Sequence, residues 1–387
     1  MSDPIYLDHA ATTPVRPEAL EAMLPFLGDR FGNPSSTHRW GRTARVALDE
    51  ARERVAACLG ARADEIVFTS GGTEGDNWAV LGAWRGRRDP SRSAVAVSAV
   101  EHKGVLAAAH QAAREGAEER LLPVTAHGAV DLDAAAALLD ARVAVCSVMW
   151  VNNETGVVQP IAAVAERARA VGAVVHSDGV QALGKVAVDV RAVPLDVLTV
   201  TGHKLGAPKG IGAQWVRRGV ALAPLLVGGS QERDRRPGTE NVAFAVAFAT
   251  AAERAVAERE QEGARLTALR DRLEALLRAR IPDVVVHGAG AERAPHVLHV
   301  SAPGVDGESL LMALDVAGIA ASGGSACQSG SASPSHVLAA MGVAPDVAGA
   351  AVRFSFGKLS DPTHVERVAE LLPSLVARAR GAAEVWR

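Results

Sequence analysis

The sequence predicts an α/β protein built on a mainly parallel sheet with helices on both faces, and three observations carry that prediction. Short valine-rich apolar runs alternate with stretches at helical spacing between residues 65 and 200, the pattern of strands joined by crossover helices. Polar or glycine-rich residues follow the ends of the runs, where ligands gather in such sheets. The chain has 387 residues, 48% apolar and 22% charged, enough for one large soluble unit or two domains.

Taken in order, Tyr6 to Pro14 reads as a short extended piece, and Asn33 to Gly41 as a turn-rich polar loop. A helix over residues 42–59 stops at Gly60. Strands are expected over 65–70, 94–98, 143–148, 174–176 and 197–200, with helices over 105–114, 132–139 and 161–171. A long helical pattern covers about 242–281, with Gly263 as a point of bending; its length suits a link between two domains. Strands at 296–300, 319–322 and 352–356, and helices at 307–316, 335–341 and 362–377, complete an α+β remainder. The expected division is a large domain of residues 15–258, and a smaller one formed by 1–14 together with 259–387.

Net charge is −3 and no run of five basic residues occurs, so direct nucleic-acid binding is not expected. The three cysteines, Cys58, Cys146 and Cys327, have neither metal-ligand nor CxxC spacing. No metal site and no disulfide framework is expected. The N-terminus lacks a basic flank and an apolar segment, and the longest near-apolar run, 242–252, is too short for a membrane span. A cytoplasmic location is therefore expected.

The stretch 195–212 organises the chemistry. An apolar run ends in Thr201-Gly202-His203-Lys204, followed by a glycine-rich loop. A lysine there can form a Schiff base with an aldehyde cofactor while Thr201 and His203 hold its phosphate. The plain alternative is a surface lysine after a buried strand. Phe68-Thr-Ser-Gly71-Gly72-Thr73 joins a strand to a helix start, an anion-binding arrangement or simply a tight turn. Asp178, just past residues 174–176, can face a pyridine nitrogen and favour its protonated form. Gln181 can reach the ring's phenolic oxygen, and His102 can stack on the ring and move protons. With Asn152-Asn153-Glu154, five loops on one sheet edge can converge on one pocket.

Together these segments resemble the pyridoxal-phosphate cysteine desulfurases of the NifS/IscS type, within the fold-type-I, aspartate aminotransferase-like superfamily. The resemblance spans nearly the whole chain. It runs through Tyr6-Leu-Asp-His-Ala-Ala-Thr-Thr, Gly32-Asn-Pro-Ser-Ser-Thr-His, Phe68-Thr-Ser-Gly-Gly-Thr-Glu, Val151-Asn-Asn-Glu-Thr-Gly, His176-Ser-Asp-Gly-Val-Gln, His203-Lys204 and Gly324-Ser-Ala-Cys327. It implies a seven-stranded mainly parallel sheet, with Lys204 bonded to pyridoxal phosphate and Asp178 at its ring nitrogen. Gln181 and Asn153 then lie at the ring's oxygen side, His102 over the ring, and Gly72, Thr73, Thr201 and His203 at the phosphate. Thr239, in Arg236-Pro-Gly-Thr239, is implied to reach the phosphate of a neighbouring subunit, hence a homodimer with shared active sites.

Cys327 separates a desulfurase from an aminotransferase. Its glycine- and serine-rich surroundings suit a thiol that must travel, whereas Cys58 and Cys146 read as small buried apolar groups. The Cys327 thiolate, assisted by an imidazole such as His102, would take sulfur from L-cysteine, leaving alanine and a persulfide. Arg353 matches the residue that grips the substrate carboxylate, with Asn153 beside it. The persulfide would pass to an acceptor protein, either an iron–sulfur scaffold or an enzyme of tRNA thiolation or DNA phosphorothioation; overall likeness raises the DndA-like phosphorothioation branch. A selenocysteine lyase or an aminotransferase of the same class is the alternative. Departures from the family pattern include Gly202, Gly323 and Pro237.

Overall fold

The computed structural model describes residues 4–323 and 335–385. In chain order its strands are β1 (Ile5–Tyr6), β2 (Ile66–Thr69), β3 (Ala94–Ser98), β4 (Glu118–Leu122), β5 (Val143–Ser147), β6 (Val174–Asp178), β7 (Val197–Thr201) and β8 (Gly212–Val216), then β9 (Val285–Val286), β10 (Val297–Ser301), β11 (Ile319–Ala320) and β12 (Ala351–Ser355). Seven make the main sheet, in the order β2-β8-β7-β6-β5-β3-β4. From β4 to β7 all neighbours are parallel, and only β8 runs against the rest.

The period of two along each strand divides the packing. Ala94 and Ala96 face a core shared with the helices Arg39–Leu59, Ile161–Ala170 and Val242–Arg280. Val95 and Val97 face a core built with the helices Gly72–Gly86 and Lys103–Arg114. Both faces are covered, which is why these strands read as continuous apolar runs.

Two strands lack that signature. β4, Glu118-Glu-Arg-Leu-Leu, is the sheet's edge, where charged side chains reach solvent and discourage further pairing. β8 begins at a glycine, and its Gln214 is buried, donating from Nε2 to the Gly75 carbonyl at 3.1 Å.

A separate apolar cluster joins Ile5 and Leu7 to Leu298, Leu310, Phe354 and Val365. It is organised by the sheet β12-β10-β9 and the β1–β11 pair. The 39-residue helix Val242–Arg280 serves both cores: Val242 to Ala255 face the first, and Leu266 to Leu277 the second. It continues helically through Gly263, where a side chain would meet open space. The last helix, Pro362–Val385, is longer than its sequence pattern predicts.

The segment leading to Thr239 is pinned from below. The buried Arg52 donates to both Glu232 oxygens, at 2.5 and 2.8 Å, and Glu232 also accepts the Phe68 N–H at 3.2 Å. Glu232, Arg233 and Asp234 all have positive φ, a conformation that persists only where surroundings enforce it. Glu232→Ala strands the Arg52 charge and should cost about 3–5 kcal/mol. Chemical denaturation should show that loss, and much less of it in an Arg52→Met, Glu232→Leu double variant.

Candidate active site

A cavity of about 410 Å³ lies at the carboxyl ends of the parallel strands. Gly72 and Thr73 enter it after β2, His102 after β3 and Asn153 after β5. Asp178 and Gln181 enter at β6, Thr201, His203 and Lys204 at the end of β7, and Arg353 from β12. All five loops therefore meet. Thr239 is exposed and is not among the residues lining this cavity in its own chain. Cys327 lies outside the described residues.

Lys204 follows β7 directly, so the register of a buried strand sets where its amine stands. Its Nζ donates to the carbonyls of Ala10 and Ala11, at 2.5 and 2.6 Å. Asp178 ends the neighbouring strand, with Oδ1 accepting the Val180 N–H at 2.8 Å. Burial raises its pKa, against the lowering pull of His102 and Lys204. Gln181 donates from Nε2 to Ala10 O at 2.9 Å, and its Oε1 faces His296 Nε2 at 3.1 Å. His203 bonds Thr12 Oγ1 at 3.2 Å, and burial lowers its pKa to about 4. Thr201 donates to Ile211 O at 3.3 Å. At Gly202 an added Cβ would stand 2.9 Å from both Ala207 and Ile211, so the departure from alanine fits close packing behind the lysine.

His102 caps the helix Lys103–Arg114, its Nδ1 accepting the Gly104 N–H at 3.1 Å. The neutral ring therefore carries its proton on Nε2, and charging it would break the cap. Burial lowers its pKa accordingly. Arg353 donates to Asn153 O at 2.7 Å and to Asp8 Oδ1 at 2.8 Å. Burial raises the Cys58 thiol to about 11 and the Cys146 thiol to about 12, so neither supplies a thiolate near neutral pH.

Asp76, Lys103, Glu154 and His336 also line the cavity; Lys103 and Glu154 stand in the polar loops after β3 and β5, but no sequence motif singles out Asp76 or His336. Asp76 had one available signal: a lone acid beside Gly75 and Trp78 on a helix face that is otherwise buried and apolar or small. His336 reads in sequence only as part of a helix start.

A phosphorylated pyridine aldehyde requires an amine, a carboxylate for the ring nitrogen and a phosphate cradle. The cavity offers Lys204, Asp178 and the N-terminus of the helix Gly72–Gly86, whose first-turn N–H groups have no carbonyl within the helix to bond. The residues fit the group.

The sequence matches the family described as aminotransferase class-V over residues 5–368. The chain belongs to that family. Within it, the chain is 44% identical to the cysteine desulfurase NifS of Azotobacter vinelandii, over 99% of this chain and 95% of that one. A solved NifS-like protein superposes with a TM-score of 0.90 at 32% identity, covering 97% of this chain and 99% of the other. DndA from Streptomyces lividans superposes with a TM-score of 0.76 at 36% identity, covering 90% and 99%. The class-V enzyme is thus a cysteine desulfurase with the fold-type-I architecture, in a family that depends on pyridoxal phosphate. Among the described residues, no helix of the desulfurase is long and apolar enough to cross a membrane.

Proposed function

We propose that Lys204 and Asp178 hold pyridoxal phosphate in this cavity, and that Cys327 collects the sulfur removed there from L-cysteine. One observation carries the reading: the amine after β7 and the carboxylate ending β6 enter one cavity from adjacent parallel strands. When bound, the cofactor supplies an electron-withdrawing ring that stabilises negative charge on an attached amino acid.

The protein's own residues do the rest. The Ala10 and Ala11 carbonyls orient the Lys204 amine, and the Val180 N–H orients Asp178 toward the ring nitrogen. Gly72, Thr73, Thr201 and His203 would hold the phosphate, Gln181 and Asn153 would lie on the ring-oxygen side, and His102 would cover the ring. The Cys327 thiolate attacks the sulfur of bound cysteine. An S–S bond forms as the carbon–sulfur bond breaks, and the electron pair left on carbon takes a proton to give alanine. Arg353, held by Asp8 and Asn153, presents its guanidinium to the substrate carboxylate.

Thr239 completes the phosphate site of a second subunit in a homodimer. Its exposure, together with the exposed apolar side chains Leu20, Leu24, Leu27 and Phe31, supports that arrangement. The division into residues 15–258 and 1–14 with 259–387 is supported by the apolar cluster of Ile5, Leu298 and Phe354, which is separate from the clusters on the two faces of the main sheet. The persulfide passes in the cytoplasm to an acceptor protein, an iron–sulfur scaffold or a nucleic-acid thio-modification enzyme.

Incubation with L-cysteine should yield alanine and sulfur one for one; turnover of selenocysteine alone would refute the substrate assignment. Arg353→Lys keeps the charge and loses the planar fork. It should raise KM for cysteine about tenfold while kcat changes less and the cofactor's absorbance stays unchanged. Steady-state kinetics reads that split, and an unchanged KM would remove Arg353 from the substrate.

A further inference from the structure

In the cavity wall, Asp76 is 1% exposed, and its Oδ1 has no hydrogen-bond partner. Oxygens of Asp76 and Asp178 and a ring nitrogen of His102 all lie within 4.8 Å of one another. Two carboxylates this close and this dry do not both ionise readily. Glu101 adds a third buried acid nearby, with one oxygen bonded to the Met149 N–H at 2.6 Å.

Asp76 also lies beside a chain of buried polar groups. Ser147 Oγ lies 2.8 Å from His176 Nδ1, His176 Nε2 lies 2.9 Å from Thr199 Oγ1, and the same Nε2 stands 3.8 Å from Asp76 Oδ1. All four residues are at most 1% exposed. Either tautomer of His176 satisfies both of its bonds with the imidazole neutral.

We propose that Asp76 is a positioning residue that works as a neutral carboxylic acid, leaving a single negative charge, on Asp178, to face the cofactor's ring nitrogen. The proposal rests on the reading of Asp178 given above. Burial, Asp178 and Glu101 all push the Asp76 pKa well above the ordinary carboxyl range, and the Thr199 hydroxyl pulls weakly the other way. His176, 3.8 Å from Oδ1, is held neutral by its own burial, with a pKa of about 3. His102 faces the pair from the loop after β3, and Lys204 faces Asp178 across the cavity.

A protonated native acid loses stability as pH rises from its unfolded value, near 4, toward its raised folded value. The carboxamide of an Asp76→Asn variant has no such proton to lose. The test therefore uses Asp76→Asn and Asp76→Leu, as apoprotein and with pyridoxal phosphate. The melting temperature of the apo Asp76→Asn variant should gain on wild type steadily between about pH 5 and pH 8. Asp76→Leu should weaken cofactor binding roughly tenfold, and Asp76→Asn should restore most of it.

Parallel melting curves for wild type and Asp76→Asn would overturn the proposal. So would stabilisation of the wild-type apoprotein, but not of Asp76→Asn, by equimolar Zn²⁺, since the trio would then be a metal site. These apoprotein readouts do not depend on the cofactor assignment. That assignment fails separately, if Asp178→Asn binds pyridoxal phosphate as tightly as wild type.

Discussion

Lys204→Ala abolishes the visible absorbance of the bound cofactor and, with it, sulfur release, lowering kcat about a thousandfold or more. The amine stands at the tip of a strand buried along its whole length, so no rotamer of a neighbouring side chain brings another amine to the same place. Lys103 also lines the cavity, but it begins the helix after β3, on a different strand's loop. The variant should still fold, because the truncated side chain bonds main-chain carbonyls facing a cavity. Absorbance scans and borohydride trapping check the result. A trapped adduct that maps to Lys204 in wild type and disappears in the variant supports the assignment. An adduct that survives the substitution sinks it.

Cys327→Ser keeps the cofactor's absorbance and loses persulfide formation, again by about a thousandfold or more. The argument is one of elimination joined to chemistry. Sulfur transfer needs a thiolate, the protein has three cysteines, and burial holds Cys58 and Cys146 in the thiol form. A serine hydroxyl at position 327 is far too weak an acid to replace the thiolate. Mass spectrometry after incubation with L-cysteine should find the added sulfur on Cys327 in wild type and none in the variant. Persulfide appearing at the normal rate in Cys327→Ser would return the role to another group. The pair of variants also separates two functions: one should lose the cofactor signal and turnover together, the other turnover alone.

The order of the strands in the chain and the loops that carry polar residues were legible because both follow from local periodicity. Val197, Leu198 and Val200 are apolar because helices cover both sheet faces, and the change to Thr201-Gly-His-Lys marks where the strand emerges. β4 and β8 escaped that logic. An edge strand tolerates Glu118, Glu119 and Arg120, and β8 buries a glutamine whose Nε2 bonds a distant carbonyl, Gly75 O.

The same division holds at the site. Lys204, Asp178 and His102 could be picked out as candidates from the sequence because each follows a strand end with a residue type that suits the chemistry, and Arg353 only through the family resemblance. Asp76 and His336 could not, since what singles them out is distance to groups far away in the chain. By itself the sequence determined which side chains end which strands, because strand and helix periodicity is a local property of the chain. Only the tertiary structure decided that Asp76 lies against Asp178 and that Arg353 is braced by Asp8. Those relations depend on burial and on sub-nanometre separations between residues up to 345 positions apart, and no local pattern encodes them.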